Sequence, residues 1–359
     1  MSSLIVEVCK IDDIAPMNAD NLEVAIIKGW SCIIQKGKYK PGDHVVFIPP
    51  DSVIPEEMIK KYELDYLKGG GRVTTIKLRG QISQGIALQV PTKDNEKPYK
   101  LGANLADTLG IKKYEPTIKI PRKYGFMDKK KKKNCSDKFH KYTDIENLNH
   151  YPNIFTKDDV VVITEKIHGT NFRAGMVPIN TKTIIGKLKY LTGKKYEFVY
   201  GSRNMQLKNY SQKTFYQSNV YAIISRRYNL DKIIPNGIVL YGEIYGKEIQ
   251  DLDYGEDGID LVIFDVMEGG KYMSTTDASA IAKKLGLKFV PILYIGYYVD
   301  DVGKKLADGN SVMSKTSQIR EGCVIKPYKQ EEIDRKIGRK ILKSINQEYL
   351  CRKNRTEFQ

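Results

Sequence analysis

The sequence predicts an N-terminal all-β barrel followed by a C-terminal α+β domain. Its 359 residues exceed the length of one typical domain, and 41% hydrophobic residues, with 10% aromatics, can fill two cores. Residues 1–100 contain short β-branched runs separated by glycine-rich turns, whereas from Asp159 onward apolar strands alternate with helix-like stretches. A lysine-rich segment lies between them, which predicts domains at 1–120 and 151–359 joined by a linker at 121–150.

Residues 1–120 are predicted to form a barrel of the OB type. The predicted strands are LIVEVCKI, LEVAIIKGWSCII, DHVVFIP, RVTTIKL and QGIALQV. Their number and size match an OB fold, with an SH3-like barrel as the alternative. OB barrels often bind nucleic acid through aromatic and basic residues on one face. The candidates for such a face are Trp30, Tyr39, Lys28, Lys36, Lys77 and Arg79. A core position for Trp30 is an equally good interpretation.

The net charge of +16 is concentrated in part of the chain. Residues 121–141 hold nine basic and two acidic residues, including five consecutive lysines from Lys129 to Lys133. Such a run favours polyanions by releasing their counterions. A solvated tether that keeps the protein soluble is the alternative interpretation of this segment.

Several classes of protein are disfavoured by composition. No apolar run approaches the roughly 20 residues of a membrane-spanning helix, and the N-terminus lacks the basic region of a signal peptide. The five cysteines form no C-x-x-C pair and the four histidines no H-x-x-x-H motif, which disfavours a zinc or histidine-rich metal centre. We therefore expect an intracellular protein, cytoplasmic or nuclear and not secreted, whose chemistry comes from lysines and carboxylates.

The second domain is predicted from four apolar strands and a capped helix. The strands are VVVITE, GIVLYGEIY, LVIFDVM and CVIKP. The stretch DASAIAKKLG has Asp277 as a candidate N-cap and Gly286 as the residue that ends the helix. This mixture indicates an α+β domain.

Lys166 lies where a predicted strand enters a glycine-containing turn, in the string TEKIHGTN. A lysine held on a rigid element and partly desolvated is shifted toward the neutral amine, the nucleophilic form. Gly169 would let the backbone approach a phosphate closely. K-x-x-G alone is weak, because a solvent-facing lysine in a turn gives the same pattern.

Further charged or aromatic residues lie at or near the ends of later strands. Buried carboxylates and lysines are rare unless they are paired or bind a ligand. Several of them converging on one place imply a polyphosphate with a metal ion. In chain order they are Arg203 in GSRN, Glu243 in YGE, Phe264 in FDV, Glu321 and Lys326 in EGCVIKP, and Lys343.

The ordered set EKIHGTN, GSRN, YGE, FDV, EGCVIKP and a terminal lysine resembles motifs I, Ia, III, IIIa, IV and V of the covalent nucleotidyltransferases. This superfamily comprises ATP-dependent DNA ligases, RNA ligases and mRNA capping enzymes, and the resemblance implies its ATP-grasp-like DNA/RNA ligase fold. EKIHGTNF is most similar to RNA ligases that seal nicks in duplex RNA. PMNADNLEVAIIKGW and PGDHVVFIPPDSVIP resemble the OB module that precedes the ligase domain in one RNA ligase sub-family.

By this resemblance, Lys166 attacks the α-phosphorus of ATP, expels pyrophosphate and carries AMP as a lysyl phosphoramidate. AMP then passes to an RNA 5′-phosphate, and the adjoining 3′-hydroxyl displaces it. The implied partner is therefore RNA with 3′-OH and 5′-phosphate ends, and RNA repair is one expected role. The cofactors implied are ATP and Mg²⁺ or Mn²⁺.

The resemblance also implies roles for the other motif residues. Glu243 and Glu321 would hold the metal ion, directly or through water, with a ribose contact of the nucleotide as the alternative for Glu243. Lys326 and Lys343 would neutralise phosphates. His168 would serve the later steps, a structural histidine being the alternative. Phe264 would stack on adenine or be a plain core residue. The remaining nucleotide contacts would be Glu165, Gly169, Asn171, Arg173, Arg203 and Lys340, with Lys343 preferred over Lys340 for motif V.

Alternatives remain open at the level of the substrate. Typical DNA ligases and capping enzymes carry an OB domain after motif V, and the 16 residues after Lys343 are too few for one. A DNA ligase or capping guanylyltransferase is therefore less favoured, as is a catalytically inactive RNA-binding protein, because every charged motif position is occupied. We expect strand binding to come from the N-terminal module and the basic linker, in a protein that is a monomer.

Overall fold

The structure is a computed structural model that describes residues 4–93, 97–115, 138–207, 219–352 and 355. It divides into two compact units, the first comprising 1–117, 144–155 and 342–359 and the second 118–143 and 156–341. Lys129–Lys133 and most of the predicted linker lie outside the described residues. The compact units differ from the predicted domains chiefly in assigning 144–155 and 342–359 to the first unit, and the predicted domain boundaries stay predictions.

The first unit consists mainly of short strands. Its elements are β1 (Glu7–Lys10), β2 (Asp13–Pro16), β3 (Leu22–Ile27), β4 (Trp30–Gln35), β5 (His44–Ile48), β6 (Ser52–Val53), α1 (Glu56–Lys61), α2 (Lys68–Gly71), β7 (Ile76–Leu78), β8 (Gln81–Ser83), β9 (Ile86–Gln89), β10 (Thr92–Lys93), β11 (Lys97–Pro98), β12 (Lys112–Lys113), β13 (Glu146–Asn147), a 3-10 helix (Leu148–His150), β26 (Leu342–Ile345) and α8 (Gln347–Leu350).

Two three-stranded antiparallel sheets, β1–β5–β9 and β2–β3–β4, dominate this unit. The run predicted as one strand, LEVAIIKGWSCII, is a hairpin, because Lys28 and Gly29 at its centre adopt φ of +50° and +83°. Among the described residues the ladders do not join into a closed barrel, so the architecture is OB-type without full closure.

The candidate nucleic-acid face of the first unit is only partly exposed. Trp30 is 1% exposed and packs against Phe47 and His150, which confirms the core interpretation for that residue. Lys28 is held by Glu7 at 2.6 Å, and Tyr39 is half-buried. The exposed members of the predicted set are Lys36, Lys77 and Arg79.

The second unit contains longer strands and most of the helices. Its elements are β14 (Val160–Lys166), β15 (Thr170–Pro178), α3 (Ile184–Leu191), β16 (Tyr196–Ser202), β17 (Gln206–Leu207), α4 (Val220–Arg227), α5 (Leu230–Ile233), β18 (Ile238–Gly246), β19 (Ile259–Glu268), β20 (Lys271–Tyr272), α6 (Thr275–Lys284), β21 (Lys288–Phe289), β22 (Ile292–Tyr297), α7 (Val302–Ala307), β23 (Gly322–Pro327), β24 (Ile333–Asp334) and β25 (Gly338–Arg339).

Two sheets position the second unit's polar residues. One runs β17–β16–β15–β18–β19–β20, with β21 also paired to β19, and in the other β14 lies between β22 and β23. Helices α4 and α6 contribute Ile224, Ala278 and Ala282 to the core of the larger sheet. The predicted α+β class is therefore confirmed, and all four predicted strands are present.

Helix α6 begins and ends as the physics of capping requires, with one correction to the predicted N-cap. The cap is Ser274, whose hydroxyl accepts the backbone N–H of Asp277. Asp277 lies instead in the first turn, where its carboxylate accepts from the Ser274 hydroxyl. Gly286, at φ +72°, follows the last turn as predicted.

Within the described residues, every helix is too short or too polar to span a membrane.

Candidate functional site

Lys166 and Glu321 form the centre of the candidate site. Lys166 is the last residue of β14, and its Nζ lies 2.5 Å from Oε1 of Glu321, whose side chain is 3% exposed. The β14–β23 ladder sets this contact, since Lys166 lies opposite Gly322. Burial alone would raise the pKa of Glu321, but the Lys166 ammonium and the His168 ring hold it below its ordinary value. The pair is thus a buried carboxylate with a bound ammonium.

His168 lies between two carboxylates. Its Nε2 is 3.1 Å from Oδ1 of Asp251, and its Nδ1 is 3.6 Å from Oε2 of Glu321. The backbone N–H of His168 donates to the hydroxyl of the fully buried Tyr254 at 2.6 Å. Because the ring and the backbone are both held, this histidine has a fixed orientation beside Glu321.

Glu243 adds a second carboxylate to the same place. It lies inside β18, opposite Asn171 of β15, and not at a strand end as predicted. Burial raises the pKa of Glu243 to about 8; the Lys166 and Arg203 cations oppose this shift, and Glu321 reinforces it. Oδ1 of Asn171 is buried and has no hydrogen-bond partner among the described residues. Six predicted residues therefore come together here: Lys166, His168, Asn171, Arg203, Glu243 and Glu321.

Gly169 is required by packing between strands. A Cβ at this position would lie 2.2 Å from the carbonyl oxygen of Ile244 and 2.9 Å from Cγ of Glu243. Only glycine lets the start of β15 approach β18 this closely. The close approach is to protein backbone, so the predicted phosphate contact stays a prediction.

A second polar cluster surrounds Asp265, which is fully buried. Its Oδ2 accepts from Lys326 Nζ at 3.1 Å, Arg339 Nη2 at 2.8 Å and the Tyr142 hydroxyl at 2.7 Å. Burial would raise the pKa of Asp265, but the two cations hold it below its ordinary value. Lys326 also donates to the backbone carbonyl of Phe264 at 3.0 Å, so its ammonium neutralises a protein carboxylate in this structure.

Phe264 adjoins this cluster as a half-buried side chain within β19. Its ring meets the edge of Tyr142 at a centroid distance of 4.8 Å and an angle of 71°. The half-buried ring is compatible with stacking on a base, and adenine contact stays a prediction.

Glu165 and Arg173 are held by other groups of the second unit. Oε2 of Glu165 accepts the backbone N–H of Val312 at 2.9 Å and lies 3.7 Å from Arg320 Nε. Arg173, 2% exposed, donates to the backbone carbonyl of Phe139 at 2.6 Å, and its guanidinium lies 4.1 Å above that residue's ring. Both side chains therefore connect loops to strands, and their nucleotide contacts stay predictions.

The two candidate lysines of motif V lie in different units. Lys340 belongs to the second unit, where its Nζ is 2.7 Å from Asp159 and 3.1 Å from Glu332. Lys343 lies on β26 of the first unit and is 4% exposed. There, burial together with the Lys28 and Lys343 cations lowers the pKa of His150 to about 3.

Three residues that the sequence did not single out complete these clusters, namely Asp251, Asp265 and Arg339. Asp265 had a usable signal, because a carboxylate inside the apolar run VIFDVM must be paired. Asp251 lies in an acidic loop and Arg339 in a basic segment, where nothing local distinguishes them from solvated charges. Their partners, His168 and Asp265, are more than 70 residues away along the chain.

The fold and these clusters define a two-part protein with an OB-type domain and an α+β domain of the ligase type. A family model described as RNA ligase matches residues 159–345, more than half of the chain, and one described as an OB-fold domain matches residues 5–90. The chain belongs to the RNA ligase family. These matches confirm the predicted family and its N-terminal OB domain.

Solved structures of an RNA ligase from Naegleria gruberi are similar over nearly the whole chain. A mutant solved with ATP and Mn has 24% identity and a TM-score of 0.73, covering 96% of this chain and 98% of that chain. A mutant without ligand has 25% identity and a TM-score of 0.71, with coverage of 96% and 97%. A mutant with AMP and Mn has 24% identity and a TM-score of 0.72, with coverage of 96% and 98%. No curated protein matches the chain.

Proposed function

We propose that this chain is an ATP-dependent RNA ligase that joins 3′-OH and 5′-phosphate RNA ends at nicks in duplexes. The reaction would proceed through AMP bound to Lys166 and then to the RNA 5′ end, releasing pyrophosphate and AMP. The observation that carries the proposal is the Lys166–Glu321 contact of 2.5 Å at a strand end, with Glu243 and Arg203 beside it. The Naegleria ligase structures, solved with ATP and Mn, AMP and Mn, or pyrophosphate, hold the ligands that this reaction needs.

The Lys166–Glu321 pair sets a requirement for the first step. A carboxylate 2.5 Å from Nζ stabilises the ammonium, which has no lone pair with which to attack phosphorus. Attack therefore requires the proton to pass from Nζ to water and the amine to leave Glu321. Because the pKa of Glu321 is lowered, this carboxylate is a poor proton acceptor at neutral pH. Other positive charge must replace the ammonium at Glu321.

A divalent metal ion fits the two carboxylates. Oε2 of Glu321 is buried without a hydrogen-bond partner among the described residues, with Nδ1 of His168 3.6 Å away, and burial raises the pKa of Glu243 to about 8, so a cation beside both carboxylates would be favoured. No group of three or more His, Cys, Asp or Glu side chains in the described ranges could hold a metal by itself, so water and phosphate oxygens would complete the shell. When bound, Mg²⁺ or Mn²⁺ would supply the charge that replaces the Lys166 ammonium at Glu321 and neutralises the α-phosphate.

The other residues of the site would bind and orient the substrates. Arg203 is half-buried beside Glu243. Its guanidinium suits a ribose or the 5′-phosphate of the second substrate. The amide oxygen of Asn171, which has no hydrogen-bond partner in the part of the chain that the structure describes, suits a hydroxyl donor of the same substrates. His168, held by Asp251, would act in the sealing steps, and Phe264 would stack on adenine.

The proposal is tested with nicked duplexes that carry RNA or DNA separately on the 3′-OH and 5′-phosphate sides, with ATP and Mn²⁺. We expect sealing of the all-RNA nick and little sealing of the all-DNA nick. Lys166→Ala should abolish sealing, whereas Lys157→Ala, which changes an exposed lysine of the same unit, should not. Equal sealing of the all-DNA nick would make the protein a DNA ligase, and adduct formation with GTP instead of ATP would make it a capping enzyme.

A further inference from the structure

Helix α3 presents its aliphatic side chains to solvent. Ile184 is 87% exposed, Ile185 70%, Leu188 65% and Leu191 81%, and the buried residue of the helix is Gly186. At about 100° per residue the four side chains lie on one stripe, and Gly186 lies on the opposite face. The helix is therefore turned with its apolar face outward, the reverse of a helix that packs on its own domain.

The charge along this segment is positive, apart from one neighbouring carboxylate. Residues 179–196 contain five lysines and no acidic residue. Lys187 and Lys189 lie on the two sides of the aliphatic stripe, and Lys194 and Lys195 follow the helix, both exposed. The nearest acidic residue along the chain, Glu197, pairs with Lys189 at 2.8 Å. The surface is thus an apolar stripe bordered by cations.

The segment is firmly held at both ends. It connects β15 to β16. The ladder between these two strands begins with Pro178 opposite Tyr196, the residues that flank the segment. The Thr183 hydroxyl caps the helix by accepting the N–H of Gly186 at 3.0 Å. Ordering the stripe for binding therefore costs little further conformational entropy.

We propose that α3 docks this protein on the surface of an anionic lipid bilayer, with the aliphatic stripe in the interface and the lysines on the headgroups. Basic amphipathic helices with lysines on the polar face and aliphatics on the other bind membranes in this way. RNA phosphates would bind the lysines, but the four aliphatic side chains would stay in water, because bases stack on aromatic rings and not on aliphatic groups. A protein partner is the alternative occupant, because an apolar core with a charged rim also fits a protein interface, and failure of the wild type to bind anionic vesicles would favour it. Because the helix has only eight residues, we expect its binding to the bilayer to be reversible and to weaken as salt rises.

The test is flotation of the full chain with vesicles of phosphatidylcholine, with and without phosphatidylserine. We expect binding to the anionic vesicles that weakens as salt rises. The triple variant Ile184→Ser, Leu188→Ser, Leu191→Ser should lower the affinity for the vesicles by up to about a thousandfold, because each buried aliphatic side chain contributes roughly a factor of ten.

The matched control removes exposed apolar groups from another surface of the same unit. Ile295, Tyr297 and Val299, on and just after β22, are 46%, 64% and 54% exposed. Their triple serine variant should float like the wild type, and an unchanged melting temperature in both variants shows that the fold is intact. The proposal is overturned if wild type does not bind anionic vesicles, or if the α3 variant binds them as the wild type does. It is also overturned if the α3 variant loses affinity for nicked RNA while keeping vesicle binding.

Discussion

Replacing Asp265 with alanine is expected to destabilise the second unit by about 3–5 kcal/mol, because two buried cations lose their carboxylate. Asp265 is fully buried, and the Lys326 and Arg339 side chains that it binds are 6% and 8% exposed. At roughly 2–4 °C per kcal/mol for a unit of this size, the melting temperature should fall by about 6–20 °C. Thermal unfolding followed by circular dichroism measures this directly.

A matched control removes an acid from an exposed pair. Asp300 lies 3.4 Å from Lys157, and both side chains are largely exposed, so Asp300→Ala should change stability by less than about 1 kcal/mol. If Asp265→Ala melted within about 2 °C of the wild type, the inference that the cluster stabilises the unit would be wrong.

The same variant predicts a pH dependence with a definite sign. Burial would raise the pKa of Asp265, but Lys326 and Arg339 hold it below the value of the unfolded chain. The stability that Asp265 contributes is therefore fully present above the unfolded pKa of about 4 and is lost as pH falls through the lower folded pKa. The difference between wild type and Asp265→Ala should stay constant from neutral pH to about 5 and shrink in stronger acid.

Three further predictions concern other positions. Because the pKa of His150 is lowered to about 3, its ring stays neutral in the folded state at pH values where the unfolded chain protonates it. The free energy of unfolding should therefore fall by about 2 kcal/mol from pH 7 to pH 5. In urea unfolding, the variant His150→Phe should not show this fall. Gly169→Ala places a Cβ 2.2 Å from the Ile244 carbonyl and should cost about 1–3 kcal/mol in thermal unfolding, whereas Gly258→Ala meets no atom within 4 Å and should be near neutral. Lys340→Gln should leave AMP labelling of the chain close to wild type, since its ammonium is held by carboxylates; a large loss of label would show that Lys340 contacts the nucleotide.

Features with a local cause were predictable from the sequence. The β-branched runs before Lys166 and around Phe264 give strands, because such side chains suit the pleated, half-buried surface of a sheet. Gly286 marks the end of α6, because the residue after a last helical turn often adopts the left-handed conformation, which glycine adopts most easily. The strand-end position of Lys166 belongs to the same class and is confirmed.

Features set by tertiary contact were not predictable. The hairpin at Lys28-Gly29 is an exception with a local signal, because a lysine and a glycine interrupt the apolar run there, as in a two-residue hairpin turn. Arg173 and Lys326 have the same sequence signal whether they face a phosphate or a buried protein group, and only the fold places them against Phe139 and Asp265. Residue type and order thus identify a charged site more reliably than they assign each charge to its partner.

The central claim is that Lys166 is the nucleophile of nucleotidyl transfer. Incubation of the full chain with ATP labelled at the α-phosphorus and Mn²⁺ tests it most directly, because no RNA is needed. We predict a label that survives denaturing electrophoresis and alkali, is released by acid as a P–N bond requires, and maps to Lys166. It should be absent from Lys166→Ala and present in Lys157→Ala. A chain that takes up no label, or a Lys166→Ala variant that is labelled like the wild type, would contradict the claim.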